Sequence, residues 1–150
     1  MQRSSFRLGF AAALAGAVFL LANCGTGGLP HTNQVTASVT PAQATISPGG
    51  SVVLKGNATG FTSSPIVGWW IQESRAIDRY NDCGLLSTQA PPQSGCPYGY
   101  VMFDDVTTFP SAATYYAPSA PGIYHVTFEA TQVVEFDSLT KTVQAAITVQ

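Results

Sequence analysis

The chain has 150 residues, only 9% of them charged, and a formal net charge of −2. An average globular protein carries about 25% charged residues. The balance excludes a basic nucleic-acid surface, and no Lys/Arg cluster follows the N-terminal segment. Beyond that segment no long window repeats apolar residues at i, i+3, i+4 and i+7, which excludes a helical bundle. Abundant Gly, Pro, Ser, Thr and Val suit an exported all-β chain, and this length makes one domain the expectation.

Arg3 and Arg7 are the only charges before Lys55, and every residue from Leu8 to Leu21 is apolar or Gly. A spanning helix needs about 20 apolar residues, so the run reads as a secretory signal helix, residues 1–23. Removing it takes away two of the six Lys/Arg and leaves the exported chain more acidic. Residues 24–34, rich in Gly and containing His31, read as a flexible tether, and residues 35–150 as the folded domain.

The apolar run ends in Leu21-Ala22-Asn23-Cys24-Gly25. This stretch resembles the lipobox of bacterial lipoproteins, with Asn23 standing where that family usually has Gly, Ala or Ser. The resemblance implies that the Cys24 thiol takes a diacylglycerol and becomes the new N-terminus, so the expected partner is a membrane of the cell envelope. The alternative is ordinary cleavage near Ala22, leaving Cys24 free. The three cysteines bear on the choice. Export implies an oxidising compartment, and if Cys24 is lipidated, Cys83 and Cys96 remain as a pair.

The exported part alternates in strand fashion. Val35, Ala37 and Val39 open strand A, ended by Pro41, with a continuation at 44–47. Strand B is expected over 51–59, C over 66–73, a short strand over 100–103, E over 112–116, F over 122–134 and G over 139–149. In strand F, Tyr124, Val126, Phe128 and Ala130 share one face. In strand C, Trp69 points to the core and Trp70 to the opposite side. About seven short strands with turn signals between them predict a two-sheet antiparallel sandwich. Ser74 to Gly99 breaks the rhythm and reads as an insertion stapled by Cys83 and Cys96.

These strands carry a likeness. Gly50-Ser51-Val52-Val53-Leu54-Lys55-Gly56, then Trp69, then Gly122-Ile123-Tyr124-His125-Val126 follow in the order of immunoglobulin strands B, C and F. The region 35–150 resembles a bacterial immunoglobulin-like domain, with Gly56 and Val126 where many such folds have the two inter-sheet cysteines. The resemblance implies a core of Leu54, Trp69, Tyr124 and Val126, with Tyr124 as the tyrosine corner. It also implies a non-catalytic module used in adhesion, spacing or display, whose partner is another envelope protein or a glycan.

Other residues carry side chains suited to binding or catalysis. Trp70, Tyr80, Tyr98, Tyr100 and His125 could line one aromatic face for a carbohydrate or small ligand. The competing reading folds the insertion over Trp70. Asp78, Asp82, Asp104 and Asp105 lack the spacing of a Ca²⁺ loop, and Arg75 and Arg79 lie near enough in sequence to pair with them. His31 and His125 are the only histidines, and no nucleophile–base constellation or metal triad assembles. Neither catalysis nor a cofactor is expected.

Overall fold

The computed structural model describes residues 34–77, 83–86, 96–104, 109–135 and 137–150. The expected signal helix, Cys24, the tether, and Asp78, Arg79, Tyr80, Asp82 and Asp105 lie outside these residues.

Nine strands and one short helix follow in order. They are β1 (Thr36–Thr40), β2 (Gln43–Ile46), β3 (Ser51–Thr59), β4 (Ile66–Ile71), α1 (Gln72–Ile77), β5 (Gly84–Leu86), β6 (Tyr100–Phe103), β7 (Ser111–Tyr116), β8 (Gly122–Val134) and β9 (Asp137–Val149). One sheet has the order β1-β3-β7-β6-β5 and the other β2-β9-β8-β4. With β1, β3, β4, β6, β7, β8 and β9 as A to G, these are the A-B-E-D and C-F-G sheets of the immunoglobulin sandwich. The protein is an all-β two-sheet sandwich with a disulfide-stapled insertion after its third core strand.

Three details differ from the sequence reading. Strand A ends at Pro41 as expected, but its continuation changes sheet: β1 pairs with β3 in one sheet, and β2 crosses to pair with β9 in the other. Proline donates no hydrogen bond to a ladder and suits such a break. Two pairings, β2–β9 and β5–β6, are parallel, where an antiparallel sandwich was expected. Strand C stops at Ile71, and its expected last residues, Gln72 and Glu73, begin α1 instead.

The longest hairpin, β8–β9, runs thirteen pairs from Gly122↔Val149 to Val134↔Asp137. Strict alternation sends Tyr124, Val126, Phe128 and Ala130 inward, where all are buried. Leu54, Val67, Trp69, Ile71, Val101, Tyr115, Ile147 and Val149 complete the core. Trp69, 2% exposed, packs against Phe128 with ring centroids 4.8 Å apart. The Phe128 ring lies over Gly56, so any side chain at that position would collide with it. The buried side chains of Tyr124 and Gln132 find partners where the chain turns. The Tyr124 hydroxyl donates to the Ala120 carbonyl at 2.9 Å. Gln132, also buried, holds the loop after β3 through Thr62 and Ser63.

Candidate functional site

The outward side of the β2-β9-β8-β4 sheet carries a connected group of polar and aromatic side chains. Its centre is a row set by strand register: Trp70 of β4 opposite Thr127 of β8, and Thr127 opposite Gln144 of β9. Alternation puts Trp70 on this outer side, as the sequence implied, yet it is only 7% exposed. Its cover is α1, which leaves β4 without a loop and folds back over the sheet. The Arg75 guanidinium lies 4.3 Å from the centroid of the Trp70 ring, a cation–π contact.

A strand edge explains where α1 docks. β4 ends opposite Val126, but β8 continues back to Gly122. The backbone N–H of His125 therefore has no β4 partner, and an unpaired N–H is costly when buried. Glu73 supplies the acceptor. Its two carboxylate oxygens lie 3.1 and 3.2 Å from the His125 backbone N, and one lies 2.7 Å from His125 Nδ1. One side chain thus replaces a missing strand and ties the helix down. Gln72 makes a second tie, its Oε1 accepting from Gln144 Nε2 at 3.3 Å, while the same Nε2 lies 3.2 Å from Thr127 Oγ1. Among the described residues, Trp70 Nε1 beneath this cover and Ser74 Oγ within it are buried without a hydrogen-bond partner.

Of the residues proposed for one aromatic face, the four described ones are not brought onto one sheet. Trp70 and His125 share the outer side of this sheet. Tyr98 packs on Tyr124 with centroids 6.1 Å apart, and its carbonyl accepts from the Tyr115 hydroxyl at 2.9 Å. Tyr100 stacks on Tyr116, its register partner in the other sheet, with centroids 4.8 Å apart and planes 15° from parallel. The division has a topological cause: β6 joins β7 and β5, so Tyr100 cannot reach the sheet that carries Trp70. Tyr80 lies outside the described residues. Arg75, which sequence proximity paired with carboxylates, sits on the indole instead.

Cys83 and Cys96 form a disulfide, with Cα atoms 5.8 Å apart. β5 follows Cys83 directly and pairs with β6, and Gly84 packs so closely on the Trp69 carbonyl that a side chain there would overlap it. β5 therefore straps the β4 edge to the opposite sheet. Among the described residues no group of three His, Cys, Asp or Glu could hold a metal ion, and Asp104 is exposed. Tyr115 is fully buried; burial raises its phenol above the ordinary range, with smaller contributions from Tyr124 and Glu73.

Glu73, Thr127 and Gln144 had no distinguishing mark in the sequence. Glu73 and His125 are 52 positions apart, and only the pairing of β4 with β8 joins them.

No family model matches the chain, and no curated protein matches it. Among solved structures, the chain is similar to one described as "Structural basis of T cell specificity and activation by the bacterial superantigen toxic shock syndrome toxin-1". Identity is 14%, the match covers 77% of this chain and 99% of that one, and the TM-score is 0.39.

Proposed function

We propose that this chain is a non-catalytic lipoprotein of the cell envelope. It is exported on its N-terminal signal and held to a membrane by a lipid on Cys24. Its immunoglobulin-like sandwich serves as a surface or periplasmic binding or structural module. The observation that carries the reading is the use of the cysteines. The chain has three, and the folded domain joins Cys83 to Cys96. Cys24, placed where the apolar run ends, is the one left for another purpose. Each buried CH₂ of an acyl chain contributes about 0.8 kcal/mol of membrane affinity, and two or more chains hold a protein stably. The Gly-rich tether that follows would let the sandwich stand clear of the bilayer.

Expression in a bacterial host followed by Triton X-114 phase separation tests this. The full chain should enter the detergent phase, and Cys24→Ser should move the protein to the aqueous phase. Equal partitioning of the two would refute the lipid anchor.

A further inference from the structure

We propose that the outer row Trp70–Thr127–Gln144 is a binding site for a neutral saccharide, held shut by α1, with the Arg75 guanidinium in the seat of a sugar ring. The proposal goes beyond the lipoprotein reading and does not depend on the anchor.

The guanidinium is a planar group lying 4.3 Å from the indole centroid, about the spacing of a stacked ring. It occupies an aromatic surface that alternation turns outward rather than into the core. The closed contact is also imperfect. Trp70 Nε1 and Ser74 Oγ are buried with nothing to bond, and such groups in a native fold call for an explanation. A ligand hydroxyl or ring oxygen entering beside the indole could accept from Trp70 Nε1, which no group of the closed cover does.

The rest of the row fits that ligand. Thr127 beside the indole and Gln144 one strand further are held by Gln72 in the closed state, and with α1 displaced they offer a neutral hydroxyl and a neutral amide. A sugar ring presents a C–H face to an aromatic plane and hydroxyls at its rim. An extended peptide would need pockets for alternate side chains, and the row has no second apolar residue to form one. A charged ligand would have to compete with the contacts already made between Glu73 and His125.

The cover is built to release. Six residues form too short a helix to persist without docking. Among the described side chains, Gln72 holds it by contacts with Gln144 and Thr127, Glu73 by its carboxylate and Arg75 by a cation–π contact. None of these three ties is a packed apolar side chain. Displacement of Arg75 would uncover the indole while the sandwich beneath stays intact.

The test uses the full chain in detergent, with tryptophan fluorescence titrated by cello-, xylo-, manno-, malto- and chitohexaose. Arg75→Ala removes the occupant of the seat and Gln144→Ala removes part of the floor. Both positions are exposed, and a thermal melt of each confirms folding. Arg75→Ala should bind at least one hexasaccharide about tenfold more tightly than the wild type. Adding Gln144→Ala should weaken that binding about tenfold. Failure of Arg75→Ala to bind any of the five sugars, even with its indole more open to acrylamide quenching, overturns the proposal. Affinity equal to wild type, or indifference to Gln144→Ala, overturns it as well.

Discussion

The Trp69 indole N–H donates to the Ser111 hydroxyl at 2.9 Å, joining β4 of one sheet to β7 of the other through the buried interior. In antibody domains a disulfide between strands B and F bridges the two sheets beside the core Trp. Among the described residues of this protein, Phe128 fills the space against Gly56. The Trp69–Ser111 hydrogen bond and the packing of Phe128 on Gly56 join the two sheets, while Trp69 and Phe128 pair within one of them. Removing one partner should expose the arrangement. Ser111→Ala leaves the indole N–H unmatched in the core and should cost about 1–3 kcal/mol, and Trp69→Ala about 3–5 kcal/mol. Chemical denaturation of both single variants and the double variant should give a coupling energy well above zero; additive losses would mean that the two side chains act independently.

Gly56→Ala should destabilise the protein by about 1–3 kcal/mol, the usual penalty for overpacking a core. The sign is informative. Glycine inside a strand loses more backbone entropy than alanine on folding, so without the Phe128 ring the substitution would help. A paired Phe128→Leu substitution should recover part of the loss in urea unfolding.

Loss of the Cys83–Cys96 bridge should weaken the strap rather than the sandwich. The bridge closes a segment of 13 positions, and the chain-entropy estimate gives it about 3 kcal/mol. The double variant Cys83→Ala/Cys96→Ala should therefore melt at lower temperature, yet keep the far-ultraviolet circular dichroism of a β protein. Loss of the strand signal would show that the strap is required for the sheets to close.

Tyr115 makes stability depend on alkali. In the unfolded chain its phenol ionises near the ordinary value of about 10. In the fold, burial keeps the proton on to higher pH. Above about pH 10 the unfolded chain binds fewer protons than the native one, so stability falls as pH rises, by up to about 1.4 kcal/mol per pH unit from this residue. Tyr115→Phe should flatten that decline. At neutral pH it should cost about 1 kcal/mol for the lost bond to the Tyr98 carbonyl. Denaturation midpoints of both proteins from pH 7 to 11 measure both effects.

The sandwich was legible because each long strand is buried on one side only. A period of two is written plainly in β3, β8 and β9, and in β4 the same alternation puts Trp69 in the core and Trp70 on the reverse side. What lay beyond reach depended on distant contacts. Gln72–Ile77 is too short to show a helical period, and Gln72 and Glu73 simply continued the apparent strand. β5 is three residues whose parallel pairing with β6 comes from the strap and not from any local preference. The aromatic residues were grouped by type, whereas sheet membership divides them: Tyr100 follows β6 to one side of the molecule and Trp70 follows β4 to the other. The tie between Glu73 and His125 exists because one strand is shorter than its neighbour, which no single stretch of sequence displays.

The most direct measurement is a peptide mass map, without reduction, of the protein extracted from its own membranes. A lipid-held module predicts an N-terminal peptide that begins at Cys24 and carries the added mass of diacylglycerol, together with a single disulfide-linked fragment containing Cys83 and Cys96. An unacylated Cys24 with a free thiol, or Cys24 paired with either of the other two cysteines, would contradict it.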